Sequence, residues 1–184
     1  MDTLIKADLK CRNKKVAEPQ EKKELNILLI EDSPGDARLI DEQLKGSTNY
    51  QFNITKADSI KNALSIIKDK GAEFFEIFDA VLLDLGLPDC IGTKSFKKIK
   101  DKLGGVPIII TTGSVLERND LRLCLEGSSG FLVKGYVDSI TLENAIISGI
   151  DKQKEHERVM YLINHKQEIK VGGWEKKQEG GAII

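Results

Sequence analysis

The sequence predicts an α/β protein with an open, mostly parallel, five-stranded sheet and helices on both faces. Three observations predict it. Short, almost unbroken apolar runs recur along the chain, helical periodicities separate them, and acids, hydroxyls and a lysine sit where the runs end. Strands covered on both faces read as continuous apolar runs, and strand–helix alternation is the pattern of parallel crossovers.

Residues 1–24 are polar, with mixed charges and no sustained period, and read as a flexible N-terminal arm. LNILLI, from Leu25 to Ile30, is too short for a comfortable helix and suits the first strand. SPGD then opens a helix with Ala37, Ile40 and Leu44 on one face. QFNITKA, 51–57, alternates Phe52 and Ile54 as a second strand, and Ile60, Ala63, Ile66 and Ile67 line a second helix. DAVLLDL, ending at Leu85, and VPIIITT, ending at Thr112, are the next two strands, with a helix marked by Phe96, Ile99 and Leu103 between them. Leu121, Cys124 and Leu125 suggest a fourth helix before the weaker strand GFLVKG, 130–135. A final helix begins near Ser139 or Thr141, with Leu142, Ala145, Ile146 and Ile150 on its apolar side. Gly149 interrupts it at a cost of about 1 kcal/mol relative to alanine.

Composition narrows the function. The 184 residues carry a net charge of -1, so no broad attraction to nucleic acid or anionic lipid is expected. Cys11, Cys90 and Cys124 are odd in number, with no CxxC pair, and read as thiols in a reducing compartment. No stretch approaches the ~18 apolar residues of a membrane span, and the N-terminus has no apolar h-region, so a cytoplasmic location is expected.

In a parallel sheet, functional residues gather at the carboxyl ends of the strands. Glu31 and Asp32 follow the first run, Asp84 ends the third, Thr111 and Thr112 end the fourth, and Lys134 follows the fifth. Clustered carboxylates raise one another's pKa values, and a hard divalent cation with oxygen ligands removes that repulsion. With Lys134 as a second positive charge, the group could neutralise an incoming phosphoryl group while a carboxylate oxygen attacks it.

The motifs EDSPGD (31–36), DLGLPDCIG (84–92), VPIIITTG (106–113) and GSSGFLVKG (127–135) together resemble the receiver domains of bacterial and archaeal response regulators and hybrid histidine kinases. The resemblance covers about 25–150. It implies a doubly wound sheet in a flavodoxin-like three-layer sandwich, and a phosphoacceptor switch of two-component signalling. Glu31 and Asp32 match the acidic pair that holds Mg2+ or Mn2+. Asp84 matches the phosphoacceptor, and the backbone carbonyl of Gly86 completes the metal ligands. Thr112, five residues after Pro107, matches the switch hydroxyl, Lys134 the family's lysine, and Phe131 the aromatic whose rotamer reports phosphorylation. Pro88 and Gly92 match the loop after the acceptor strand. The implied partners are a histidine kinase or phosphotransfer protein and an unidentified downstream protein, with no direct nucleic-acid binding and no membrane insertion. The implied chemistry is that of a signalling phosphoacceptor, with self-catalysed phosphorylation and dephosphorylation. Gly86 and Ser114, both small, flank the phosphoryl position and would admit water for rapid dephosphorylation.

This chain departs from the family at three places. Gly135 stands where proline, often in a cis peptide, usually follows the lysine. A non-proline cis bond costs about 2.5–4 kcal/mol, so a trans bond is expected. Gly130 replaces a frequent acid, and Phe131 lacks the hydroxyl of the commoner tyrosine. Residues 151–184 are too few for a typical winged-helix effector and read as a helical extension and flexible tail, or as a docking or dimer-forming helix with Val159, Leu162 and Ile163 on its contact side. His156 and His165 precede no complete kinase ATP-binding region. A receiver truncated from a hybrid kinase or a longer regulator fits the same sequence. Two other functions compete. An aspartate-nucleophile phosphohydrolase commonly shows D-x-D, which Gly86 breaks; a phosphorylation-independent binding module would not need the five polar residues.

Overall fold

The computed structural model describes residues 21–113, 122 and 126–169. Five parallel strands form one sheet in the order β2-β1-β3-β4-β5. They are β1 (Lys23–Ile30), β2 (Tyr50–Ala57), β3 (Ala80–Asp84), β4 (Ile108–Thr112) and β5 (Gly130–Val133). Among the described residues the α-helices include α1 (Pro34–Lys45), α2 (Ile60–Lys70), α3 (Phe74–Ile77), α4 (Thr93–Lys100) and α5 (Ser139–Ile169). The predicted doubly wound, three-layer α/β architecture is the one observed.

The two core layers follow from strand alternation. Leu28, Ile30, Val81, Leu83, Ile108 and Ile110 face the layer closed by α2, α3 and α4. Leu25, Ile27, Leu29, Leu82, Ile109 and Leu132 face the layer closed by α1 and α5. Each central strand thus spends apolar residues on both faces, which is why its sequence runs unbroken.

Some boundaries differ from expectation. β1 starts at Lys23, two residues before the apolar run, because its exposed start pairs in register with Tyr50 of β2. Leu103 lies just beyond α4, where its amide donates to Ile99 and Lys100 carbonyls and its side chain is buried. The short helix α3 was not foreseen; it places Phe74, fully buried, in the core beneath α2. The helix expected around Leu121, Cys124 and Leu125 lies outside the described residues.

Gly149 has a packing reason. A Cβ there would stand 3.3 Å from both Ile109 Cδ1 and Ser129 Cβ, so the missing side chain lets α5 lie directly on β4. α5 then runs well past Ile150, the last buried residue among those described, and from Val159 to Ile163 five consecutive large apolar side chains are exposed. Among the described residues, no helix is long and apolar enough to cross a membrane. Cys90 is a buried free thiol; Cys11 and Cys124 lie outside the described residues.

Candidate functional site

The strand order reverses direction at β1, so a crevice opens where the carboxyl ends of β1 and β3 diverge towards their connecting loops. Glu31 and Asp32 follow β1 directly, and Asp84 is the last residue of β3. The amide of Glu31 donates to the Ala57 carbonyl at 2.9 Å, which extends the β1–β2 ladder by one residue and fixes the acid's position. Ser33 then caps α1: its hydroxyl accepts from the Asp36 amide at 3.3 Å, while its own amide donates to Glu31 Oε1 at 3.1 Å. One local turn therefore both starts the helix and orients the acid.

Lys134 enters from the opposite side. It follows β5, and its amide donates to the Thr112 carbonyl at 2.8 Å, carrying the β4–β5 ladder to the edge. Its Nζ lies 2.6 Å from Glu31 Oε2, 2.9 Å from Asp84 Oδ2 and 2.9 Å from Asp36 Oδ2. The first contact is an ion pair without well-aligned hydrogen-bond geometry. Asp84 Oδ1 accepts from the Gly86 amide at 3.0 Å. Both Glu31 and Asp84 are 5% exposed, whereas Asp32 faces solvent.

The Lys134–Gly135 bond is trans, as expected, since no peptide bond in the described chain is cis. Gly135 has φ +84°, in the left-handed region where a side chain would be strained and where proline, held near φ −65°, cannot go. Lys134 is nonetheless held firmly, by its ladder bond and by three carboxylates. Asp36 is the one of these that sequence reasoning missed. In the motif EDSPGD it reads as an ordinary first-turn helix acid, and only the fold brings it across to Lys134.

Thr112 is buried at the end of β4. Thr111, its neighbour, is also buried, with its hydroxyl lacking a hydrogen-bond partner among the described residues. Phe131 is half-buried and packs against the layer containing Ile108 and Ile110. Gly86 is exposed, yet a Cβ there would come within 3.2 Å of Asp84 Oδ2, so a side chain at this position would crowd the Asp84 carboxylate. Gly92, at φ +68°, closes the loop by donating its amide to the Leu85 carbonyl at 2.8 Å. Ser114 lies outside the described residues.

Burial raises the pKa of Glu31 above the usual carboxylate range; Lys134 opposes that shift and the nearby Asp84 charge adds to it. Burial likewise disfavours charge on Lys134, but Glu31, Asp84 and Asp36 outweigh it and move its pKa upward, so the ammonium stays charged. One cation thus serves a cluster with an excess of negative charge. Carboxylate oxygens of Glu31, Asp32 and Asp84 lie within 4.8 Å of one another, a donor set that fits a hard divalent cation.

Comparison with known proteins decides the family. The model of the response regulator receiver domain matches residues 27–147. The chain belongs to the response regulator receiver family. It is 28% identical over 137 residues to the transcriptional regulatory protein KdpE of Staphylococcus aureus, covering 73% of this chain and 54% of that protein. It is 35% identical over 91 residues to the response regulator Rcp1 of Synechocystis, covering 48% of this chain and 61% of that one. The receiver thus spans somewhat over half the length of these curated relatives. In fold it is similar to a CheY-like receiver domain protein from Methanospirillum hungatei, with a TM-score of 0.59, 22% identity, and coverage of 73% and 99% of the two chains.

Proposed function

We propose that this receiver accepts a phosphoryl group on Asp84 from the phosphohistidine of a histidine kinase or phosphotransfer protein, in the cytoplasm. The observation that carries the reading is the placement of Lys134 Nζ at 2.9 Å from Asp84 Oδ2 and 2.6 Å from Glu31 Oε2. A nucleophilic carboxylate, a fixed cation and a second acid share one crevice.

In the proposed step a carboxylate oxygen of Asp84 attacks phosphorus, the P–N bond to the donor imidazole breaks, and the ring leaves with the bonding pair. Glu31, Asp32, Asp84 and the Gly86 carbonyl would hold Mg2+ or Mn2+, which supplies charge neutralisation to the phosphoryl oxygens. Lys134 gives up part of its hold on Asp84 and pairs with a phosphoryl oxygen instead. The Gly86 amide orients the acceptor, and the small residue leaves the approach to Asp84 free. Thr112 donates its hydroxyl to the phosphoryl group in the modified state, and Phe131 turns towards the space so vacated, altering the surface around β5 for a downstream protein. The receiver unit is proposed to span 25–150 together with Lys23 and Glu24, which begin β1, preceded by the rest of the 1–24 arm and followed by the extension at 151–184.

The test is intact mass after incubation with Mg2+ and acetyl phosphate, beside Asp84→Asn. Gain of one phosphoryl group by the native protein alone supports the reading. No gain, with Mg2+ binding verified and a phosphohistidine donor also tried, points instead to a phosphorylation-independent binding module.

A further inference from the structure

The loop after the acceptor is tied sideways to a helix that contributes nothing else to the site. Asp89 lies five residues beyond Asp84 and three beyond Gly86. Its Oδ1 accepts from the Ile60 amide at 3.2 Å and its Oδ2 from the Lys61 amide at 3.0 Å. These are the first two amides of α2. The next, that of Asn62, donates to the Ser59 hydroxyl at 3.2 Å, so α2 has a serviceable cap of its own.

We propose that Asp89 is a positioning residue for the phosphorylation site, holding the backbone at Gly86 in its metal-binding place through α2. This rests on the functional reading above and adds a residue to it. The loop is built to transmit such a restraint. Leu85, Leu87 and Cys90 are buried, and the Leu85 amide donates to the Thr111 carbonyl at 3.2 Å. Pro88 stiffens the link between Leu87 and Asp89. Gly86 is therefore fixed on one side by Asp84 and on the other, across three residues, by the α2 amides. A carboxylate at a helix N-terminus also meets the favourable end of the helix dipole. Without Asp89 the exposed Lys61 amide can turn to water while the amide of buried Ile60 loses its partner, a modest cost to the fold, and the loop loses its lateral anchor. Coupling of this kind is reciprocal: metal binding must register at the amides of Ile60 and Lys61.

The experiment compares wild type, Asp89→Ala, and Asp89→Ala combined with Asn62→Glu. The added Glu supplies a capping-box partner for Ser59 and restores the start of α2 without restoring the tether. Mg2+ affinity is measured by calorimetry, amide shifts of Ile60 and Lys61 by NMR, and phosphoryl gain by mass. The expected result is Mg2+ binding about tenfold weaker in Asp89→Ala, not recovered in the double variant, and Mg2+-dependent amide shifts at Ile60 and Lys61 in wild type only. Equal Mg2+ affinity in wild type and Asp89→Ala, or recovery in the double variant, overturns the inference and leaves Asp89 a simple helix cap. A wild type that neither binds Mg2+ nor gains a phosphoryl group sinks the functional reading itself.

Discussion

The carboxyl edge of the sheet and the outer part of α5 invert the usual partition of side chains in opposite senses. At the edge, Glu31 and Asp84 are buried with their charges facing one lysine. Along α5, Val159, Met160, Tyr161, Leu162 and Ile163 are between 43% and 60% exposed. The first region is held by residues from β1, α1, β3 and β5, so its order depends on the whole fold. The second rests on bonds within a single helix, and among the described residues no other element packs over its apolar belt enough to bury it. Cost is concentrated where chemistry is proposed, and unspent apolar surface lies where the domain has ended its own packing.

Four substitutions sharpen that contrast. Lys134→Ala should have the largest effect, destabilising the Mg2+-free protein by about 3 kcal/mol because three carboxylates lose their shared partner. Chemical denaturation with and without Mg2+ checks it, and added Mg2+ should return part of the loss. Gly149→Ala comes next. Alanine gains about 1 kcal/mol of helix propensity, but the 3.3 Å approach to Ile109 and Ser129 costs more, leaving a net loss of about 1 kcal/mol in a thermal melt.

Glu31→Gln should act in the opposite direction. The raised pKa of Glu31 means that its stabilising contribution is complete below the ordinary value of 4.5 and is lost as pH rises through the raised one. At neutral pH, without Mg2+, the glutamine variant should therefore melt higher than wild type. The gap should close on acidification and reverse when Mg2+ is added. A variant that melts lower at neutral pH without Mg2+ would mean that the Lys134 pairing outweighs burial. Leu162→Gln should have the smallest effect, within about 0.5 kcal/mol, and should leave phosphoryl gain unchanged. A large loss of stability there would show that the outer helix is covered by something in solution.

What was legible in the sequence follows the same division. Glu31, Asp84 and Lys134 could be found because each directly ends an apolar strand, and parallel strands deliver their ends to one edge; Thr112 was set apart from Thr111 by the family resemblance alone. Asp36 and Asp89 could not, because their partners lie 98 and at least 28 residues away and nothing local distinguishes them from ordinary turn acids. Gly149 was read as a weakness of the helix, since propensity is local while the close approach to β4 is tertiary. The turn at Phe74 was overlooked because four residues are too short to show a period.

The register of the sheet also sets an order in time. β2, β1 and β3 lie within residues 23–84, so on a growing chain the partners that bring Glu31, Asp32 and Asp84 together are made first. Lys134, at the end of β5, leaves the ribosome some fifty residues later. A nascent chain that closed its first three strands early would gather the acids with no lysine to answer them. In such an intermediate only a bound divalent cation could offset that repulsion, whereas the finished edge has Lys134 as well.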